Sequence, residues 1–346
     1  MKQQKIKKII INIGLILTFL SLCLFYNFWN VPFINLMQER FSIVSIKDNL
    51  IVHFISVGEA DAIAINLPDG KVMLIDTGWS KTNVSLNKYI NNKVLNNSLN
   101  KNVDYLVLSH ADLDHSGGAR KLVKELNVKK VFLPTFNTEK EQYLDLLKDI
   151  EENCEYEIVD KNINISNDEY KIDIISSPLK DTSNNSSSIV KLEYMNKSFL
   201  FTGDIDSKVE NLLVEEYTNF LDVDVLKVAH HGSKFGTSKE FLNCVTPEYA
   251  VICVGNNSYG HPTSEVIDNL TNVEAEILRT DVDGDIVFVV GENYDLQPNT
   301  KEIYFTKFSL DYRILIYIVV SILVINTVIV TFSIFIKPKK RKKDFD

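Results

Sequence analysis

Two stretches of this 346-residue chain carry no charged side chain: residues 9–28 (IIINIGLILTFLSLCLFYNF) and residues 314–336 (ILIYIVVSILVINTVIVTFSIFI). A helix of about 20 apolar residues crosses the hydrocarbon core of a bilayer. Lys2, Lys5, Lys7 and Lys8 precede the first stretch, and Tyr26, Phe28 and Trp29 close it with an aromatic belt. Arg313 precedes the second, and a basic run from Lys337 to Lys343 follows it. A cleaved signal peptide is the competing reading of the first run. No small-x-small site follows it, and Leu22 stands where the lipoprotein-like Leu20-Ser21-Leu22-Cys23 needs a small residue. The first run therefore reads as an uncleaved signal anchor and the second as a transmembrane helix. The positive-inside rule puts both basic tails, 1–8 and 337–346, in the cytoplasm and residues 30–312 outside the cell membrane.

Charge supports this division. Of the formal −9, residues 1–8 and 337–346 each contribute +4, which leaves −17 on residues 9–336. With 45% hydrophobic residues, 8 Pro, 13 Gly and 4 Cys, the chain is no disordered, collagenous or disulfide-framework protein. Cys154, Cys244 and Cys253 lack CxxC spacing and read as buried or free thiols; a Cys244–Cys253 bridge is the alternative their spacing allows.

Between the apolar runs, short β-branched segments alternate with amphipathic ones. Strands are expected at 50–57, 62–67, 71–76, 103–109, 128–133, 170–176, 188–194, 197–202, 223–229, 248–254, 275–279 and 286–290. Pro68-Asp69-Gly70 marks a hairpin turn between two of them. Helices are expected at 116–127, 139–152, 206–219, 237–244 and 263–270, and residues 81–102, with eight asparagines, read as a polar helix or loop. One faint repeat is present: Val103–His110 and Val223–His230 share four identities in eight, each ending on a histidine.

Five of the six histidines fall in three short segments, each after an expected strand: His110 and His115, His230 and His231, and His261. The first segment, His110-Ala111-Asp112-Leu113-Asp114-His115-Ser116-Gly117-Gly118, packs four nitrogen or oxygen ligands into six residues, more than helix capping needs. Thr202-Gly203-Asp204 adds a carboxylate that can bridge two cations. In His230-His231-Gly232-Ser233, neighbouring residues of a strand end point oppositely, so one ring binds metal. The repeat assigns His230 to the metal and His231 to substrate, with the exchanged roles left open. His261 lies after a strand like the others, whereas His53 reads as structural. A divalent ion lowers the pKa of bound water from 15.7 toward about 7, and two ions roughly 4 Å apart stabilise both oxygens of a phosphoryl displacement. Imidazoles beside Asp112, Asp114 and Asp204 suit Zn²⁺ or Mn²⁺, the oxygen share leaning to Mn²⁺.

In this order the segments resemble a metallo-β-lactamase-fold hydrolase and, more narrowly, the C-terminal nuclease-like domain of ComEC-type competence proteins. The resemblance covers residues 50–290 and is carried by His53–Ala62, Leu67–Gly70, Leu74-Ile75-Asp76-Thr77-Gly78, His110–Gly118, Asn184-Asn185-Ser186-Ser187, Thr202-Gly203-Asp204, Leu226–Ser233, Gly260-His261-Pro262 and Arg279–Gly284. It implies an α/β, four-layer αββα sandwich over residues 45–306, flanked by the two transmembrane helices, with two divalent metal ions at one edge. The metal set is then His110, Asp112, Asp114, His115, Asp204 and His230. Asp112 stands where the superfamily carries a second His, and Asn184 and Ser187 stand where it carries a third-motif His. The resemblance therefore implies a partly occupied first site and a better supplied second one, from Asp114, His115, Asp204 and His230. Asn184, Ser187 and Ser233 become substrate contacts; His231, His261 and Asp204 take catalytic roles. The Asp281–Asp285 segment, which looks like a calcium loop but has its Gly at position 4 rather than 6, becomes a turn between strands.

The implied activity is phosphodiester hydrolysis, with single-stranded DNA as one substrate class and a membrane channel as a partner. The acidic body, lacking a basic stripe, favours a small phosphoester or another non-nucleic-acid ester instead. A non-catalytic membrane adaptor that keeps the fold is the third reading.

Overall fold

The computed structural model describes residues 43–45, 48–95, 102–135, 138–292, 296–299 and 304–306. Both apolar runs, 9–28 and 314–336, lie outside these residues. Among the described residues no helix is long and apolar enough to cross a membrane.

Two sheets face each other. The first has eight strands, in the order β16 (Pro298–Asn299), β15 (Ile286–Val290), β2 (Leu50–Phe54), β3 (Ala62–Asn66), β4 (Val72–Thr77), β5 (Val103–Val107), β6 (Val128–Leu133) and β7 (Glu155–Ile158). The second has seven: β14 (Glu276–Arg279), β13 (Tyr249–Ile252), β12 (Val225–Lys227), β11 (Lys197–Phe201), β10 (Ile189–Tyr194), β9 (Tyr170–Ile175) and β8 (Ile163–Ser166). β1 (Ile43–Ser45) and β17 (Tyr304–Thr306) form a separate two-stranded sheet. The twelve strands expected from the sequence are all present, and the Pro68-Asp69-Gly70 turn closes the β3–β4 hairpin, with Gly70 N donating to Leu67 O.

Alternation assigns the faces. Leu50, Val52, Phe54, Ile63, Ile65, Met73 and Ile75 of the first sheet share one core with Ile172, Ile174, Val190, Leu192, Phe199 and Phe201 of the second. Phe54 bridges the sheets, 5.9 Å from Phe201 and 6.0 Å from Phe288 between ring centroids. The opposite faces bury helices. Leu86, Leu122, Val123, Leu146 and Ile150, from helices 83–89, 119–125 and 141–153, cover Leu74, Leu106 and Val131. Val209, Leu213, Phe241, Leu242, Val266 and Leu270, from helices 207–217, 239–245 and 264–272, cover Leu200, Leu226 and Ile252. Helix, sheet, sheet and helix make four layers, as the resemblance implies. Strands buried on both faces lose a polar side, which is why they read as nearly continuous apolar runs.

The sequence expects one helix over 116–127; there are two, Leu113–Ser116 and Ala119–Glu125, broken at Gly117-Gly118. Cys154, Cys244 and Cys253 are free thiols, so the Cys244–Cys253 bridge does not form. Asp281 and Asp283 lie in a single helical turn, Thr280–Asp283, between β14 and β15.

In the first sheet β4, β5 and β6 run parallel, and in the second β11, β12, β13 and β14 do so. Ligand sites in such sheets lie beyond the carboxyl ends of the strands. The loops beyond these ends touch. Gly255, after β13, donates its N–H to Glu59 Oε2 at 2.9 Å. A Cβ on Gly255 would lie 2.5 Å from both Gly58 Cα and Glu59 N. Because backbone cannot yield as a side chain can, Gly255→Ala is expected to cost about 1–3 kcal/mol through overpacking. A lowered urea midpoint checks this; an unchanged midpoint contradicts the close approach.

Candidate metal centre

After β5 the chain passes through Ser109 and His110 to Asp112, whose extended backbone (φ −71°, ψ 149°) opens the short helix Leu113–Ser116. This helix carries Asp114 and His115. Its seat is tight: Gly118 N donates to Gly78 O at 2.8 Å, and a Cβ on Gly117 would come within 2.9 Å of Ser80 N. His115 is buried, and its Nδ1 donates to Asp76 Oδ2 at 2.7 Å. Asp76 is itself held by Ser109, whose N donates at 2.8 Å and whose Oγ donates at 2.6 Å. A carboxylate can only accept, so the proton sits on His115 Nδ1 and Nε2 turns outward, an arrangement typical of metal-binding imidazoles.

Outward lies Asp204, buried after β11. The turn needs Gly203 at φ +56°, where a Cβ would lie 2.8 Å from the Ser187 side chain. Asp204 Oδ1 is 3.2 Å from His115 Nε2 and 3.6 Å from Lys227 Nζ. Its Oδ2 is 3.6 Å from His231 Nε2, 3.8 Å from His230 Nε2 and 4.0 Å from His110 Nε2.

The turn Ala229–Gly232 corrects the expectation for the paired histidines. Strand β12 ends at Lys227, and both His230 (φ 49°) and His231 (φ 55°) are left-handed. Alternation along a strand therefore does not apply to them. His231 is the buried ring: its Nδ1 donates to Cys253 O at 2.7 Å, aiming Nε2 at Asp114 Oδ2, 3.6 Å away. The candidate ligand atoms of Asp114, His115, Asp204 and His231 all lie within 4.8 Å of one another. His231, not His230, thus completes this group. His230 sits outside it, its side chain 27% exposed, with Asn184 Nδ2 at 3.5 Å.

The set fits a divalent cation. His115 Nε2, His231 Nε2 and Asp204 Oδ1 are buried with no hydrogen-bond partner, as are His110 Nε2 and Asp61 Oδ1. Such groups are costly to bury unless something else binds them. Two imidazoles and two carboxylates are a donor set for Zn²⁺ or Mn²⁺. The expected first site is looser. His110 Nε2 is 3.8 Å from Asp112 Oδ2, but Lys140 Nζ holds Asp112 Oδ1 at 2.7 Å. Ser187 Oγ lies 3.5 Å from His110 Nδ1 and donates to Asn184 O at 2.6 Å. Ser233 is buried, and its Oγ accepts from Phe235 N at 3.5 Å, within its own turn. His261 Nδ1 donates to Glu59 Oε1 at 3.0 Å, and its ring meets that of His230. His53 pairs with Tyr89 and Asn66, as a structural histidine does, and burial pushes its pKa down to about 4.

The electrostatics follow the geometry. Burial pushes the His115 pKa down, but Asp204, Asp76 and Asp61 together hold it well above its usual value. For His231 burial is likewise overcome by Asp204, Asp114 and Asp61, and its pKa is raised. Burial raises Asp204, but His115, His231 and Lys227 hold it well below the usual carboxylate range. Asp114 is held down at about 2 by His231 and His115 against its own burial. His110 falls to about 4, through burial and the neighbouring His115.

Two residues outside the expected set complete the centre. Lys227 and Asp61, both buried, form an ion pair beneath Asp204. Lys227 Nζ also donates to Gly203 O at 3.1 Å, and Asp61 lies 3.6 Å from His115 Nδ1 and 3.5 Å from His231 Nδ1. The signal in the sequence is a lysine inside the apolar run Val225-Leu226-Lys227-Val228, since a charge there must be paired.

Residues 56–256 match the family described as the metallo-beta-lactamase superfamily. The chain is 32% identical over 254 residues to ComE operon protein 3 of Bacillus subtilis (strain 168), covering 68% of this chain and 32% of that protein. It is 33% identical over 192 residues to competence protein ComA of Neisseria gonorrhoeae, covering 55% of this chain and 26% of that one. The chain thus spans a third or less of the length of these relatives. Among solved structures, the metallo-beta-lactamase fold protein YhfI from Bacillus subtilis aligns with a TM-score of 0.49 and 9% identity, covering 70% of this chain and 100% of that one.

Removing one partner of the buried pair leaves the other charge unpaired. Lys227→Met and Asp61→Asn are each expected to cost about 3–5 kcal/mol, and the double variant clearly less than their sum. Urea unfolding of the four metal-free proteins measures the coupling. Additive losses would show that the two charges act separately.

Proposed function

The chain belongs to the metallo-β-lactamase superfamily and is related to ComEC-type competence proteins, and we propose that it is a membrane-anchored, metal-dependent hydrolase of phosphoesters. The observation that carries this reading is the convergence of Asp114, His115, Asp204 and His231, whose candidate ligand atoms lie within 4.8 Å of one another, with His115 Nε2, Asp204 Oδ1 and His231 Nε2 buried and without a hydrogen-bond partner. These four would hold a divalent ion. When bound, such an ion polarises a phosphoryl oxygen and acidifies a water near neutral pH.

The remaining roles belong to the chain. Asp76 and the Cys253 carbonyl fix which nitrogen His115 and His231 present. Asp204 joins the two sides of the centre, with His110 at its outer oxygen. His230 and His261, at the rim, take the phosphate or hand a proton to the departing oxygen. Asn184 Nδ2, 3.5 Å from the His230 ring, orients it. His110, Asp112 and Asp204 would hold a second ion, with Asp112 contributing Oδ2, since Lys140 takes Oδ1. Residues 9–28 and 314–336 anchor the domain with both tails in the cytoplasm, where a channel partner is in reach.

A phosphodiester is the favoured bond: the four residues would hold a cation for one phosphoryl oxygen, and the adjacent rings of His230 and His261 would be donors for the other. The charge of −17 on residues 9–336 favours small or locally bound substrates over long polyanions.

The full chain, purified in detergent and loaded with Mn²⁺ or Zn²⁺, tests the reading on bis-(p-nitrophenyl) phosphate, dinucleotides and carboxylic esters. Diesterase activity is expected, lost on chelation and restored by metal. Asp114→Ala should reduce it by about 100-fold or more, at least what outer-shell substitutions cost. Activity indifferent to both treatments would overturn the mechanism. Protein that takes up no metal would favour a non-catalytic adaptor.

A further inference from the structure

A row of rings leads out of the centre. His231 meets His230 edge-on, with centroids 6.2 Å apart and planes at 73°. His230 meets His261 at 5.7 Å and 70°. His261 then lies nearly parallel to Tyr259, at 5.6 Å and 25°. Tyr259 ends the row with 75% of its surface exposed.

A single exposed aromatic side chain is ordinary. The backbone that carries this one is held by hydrogen bonds. Asn257 Oδ1 accepts from the backbone N–H groups of Tyr259 and Gly260 at 3.0 Å and of His261 at 3.1 Å. Asn257 Nδ2 donates to Gly255 O and His261 O, both at 2.9 Å. The Glu59 carboxylate accepts from Gly255 N at 2.9 Å and from His261 Nδ1 at 3.0 Å, while Trp79 Nε1 donates to Glu59 O at 2.7 Å. One side of the Tyr259 ring thus rests on a histidine of the rim, and its exposed surface is presented by a loop tied at both ends to the fold. Pre-organised aromatic surfaces lose little conformational entropy on binding. They stack well on planar rings, and stacking is indifferent to which base is bound.

The charge of the body points the same way. Phosphate-tracking proteins hold their substrates with lysine and arginine, and residues 9–336 carry a charge of −17. A neutral contact two ring-to-ring steps from His230 supplies affinity that the charge withholds. We propose that Tyr259 is a specificity-determining residue, stacking on a planar ring attached next to the scissile phosphoester, so that the preferred substrates are small diesters of the nucleotide class. This rests on the phosphoester reading of the site.

The experiment uses the metal-loaded full chain and two diesters, thymidylyl-thymidine and its analogue in which both bases are replaced by hydrogen. Tyr259→Ala should lower kcat/KM for the base-bearing diester by about 5- to 100-fold, mainly through KM, the effect of losing one stacked base. It should leave turnover of the abasic analogue within about 2-fold, and Tyr259→Phe and Tyr259→Trp should keep the preference. An equal loss on both diesters, or no loss on either, overturns the proposal. A binding arm separates it from the phosphoester reading: a methylphosphonate dinucleotide carrying 2-aminopurine, quenched by wild type and not by Tyr259→Ala. Quenching without turnover of any diester would refute the hydrolase and keep the stacking surface. Turnover with no quenching by wild type would do the reverse.

Discussion

The Asp204 carboxylate is the point on which this molecule's electrostatics turn. It is buried between two imidazoles that face it from opposite sheets: His115 after β5 and His231 after β12. Beneath it lie the ammonium of Lys227 and the carboxylate of Asp61. Burial alone would neutralise such a group, yet its surroundings keep it charged. The backbone bears part of the cost. His230, His231 and Asp76 all adopt left-handed conformations at φ between 49° and 58°, each disfavoured by roughly 1–2 kcal/mol for a residue with a side chain. Strain of this kind persists where the surrounding fold over-determines the geometry. Here the hydrogen bonds to Cys253 O and from Ser109 do so.

Much of this was legible in the sequence because the physics was local. Twelve strands could be placed, since a strand buried on both faces announces itself as a short β-branched run. Strands β7 and β8 were not expected: Glu155–Ile158 and Ile163–Ser166 are largely exposed edge strands with little apolar pattern. His110–Gly118 was legible as a ligand segment because its spacing exceeds what a helix cap needs. The division of labour between His230 and His231 was not, because it depends on a left-handed turn that the repeat with Val103–His110 could not reveal. Asp61 and Lys227 escaped for a related reason. They are more than 160 positions apart in the chain, and only the facing of the two sheets makes them partners. The break at Gly117-Gly118 was not expected, because the contacts that demand it, with Gly78 and Ser80, are tertiary.

The uneven charge connects the parts. On the proposed anchoring, the basic tails beside the apolar runs set the orientation. Among the acids of the body, Asp61, Asp76, Asp114 and Asp204 surround the centre and are offset by one lysine and, when bound, a dication. Such a surface does not gather polyanions by long-range attraction. On the proposed reading, recognition comes from contacts at the mouth, where His230, His261 and the exposed Tyr259 lie. The relatives named for competence share the domain, and this chain matches only a third or less of their length.

The central claim is that Asp114, His115, Asp204 and His231 hold a divalent ion. The carboxylates around His115 and His231 favour the protonated rings, so an ion competes with protons for Nε2 of both. Calorimetric titration of the full chain with Zn²⁺ or Mn²⁺, in buffers of different ionisation heat, measures this directly. The account predicts about one to two protons released per ion bound, with apparent affinity rising from about pH 6 to about pH 8. Binding that releases no proton and keeps the same affinity across that range would place the ion elsewhere.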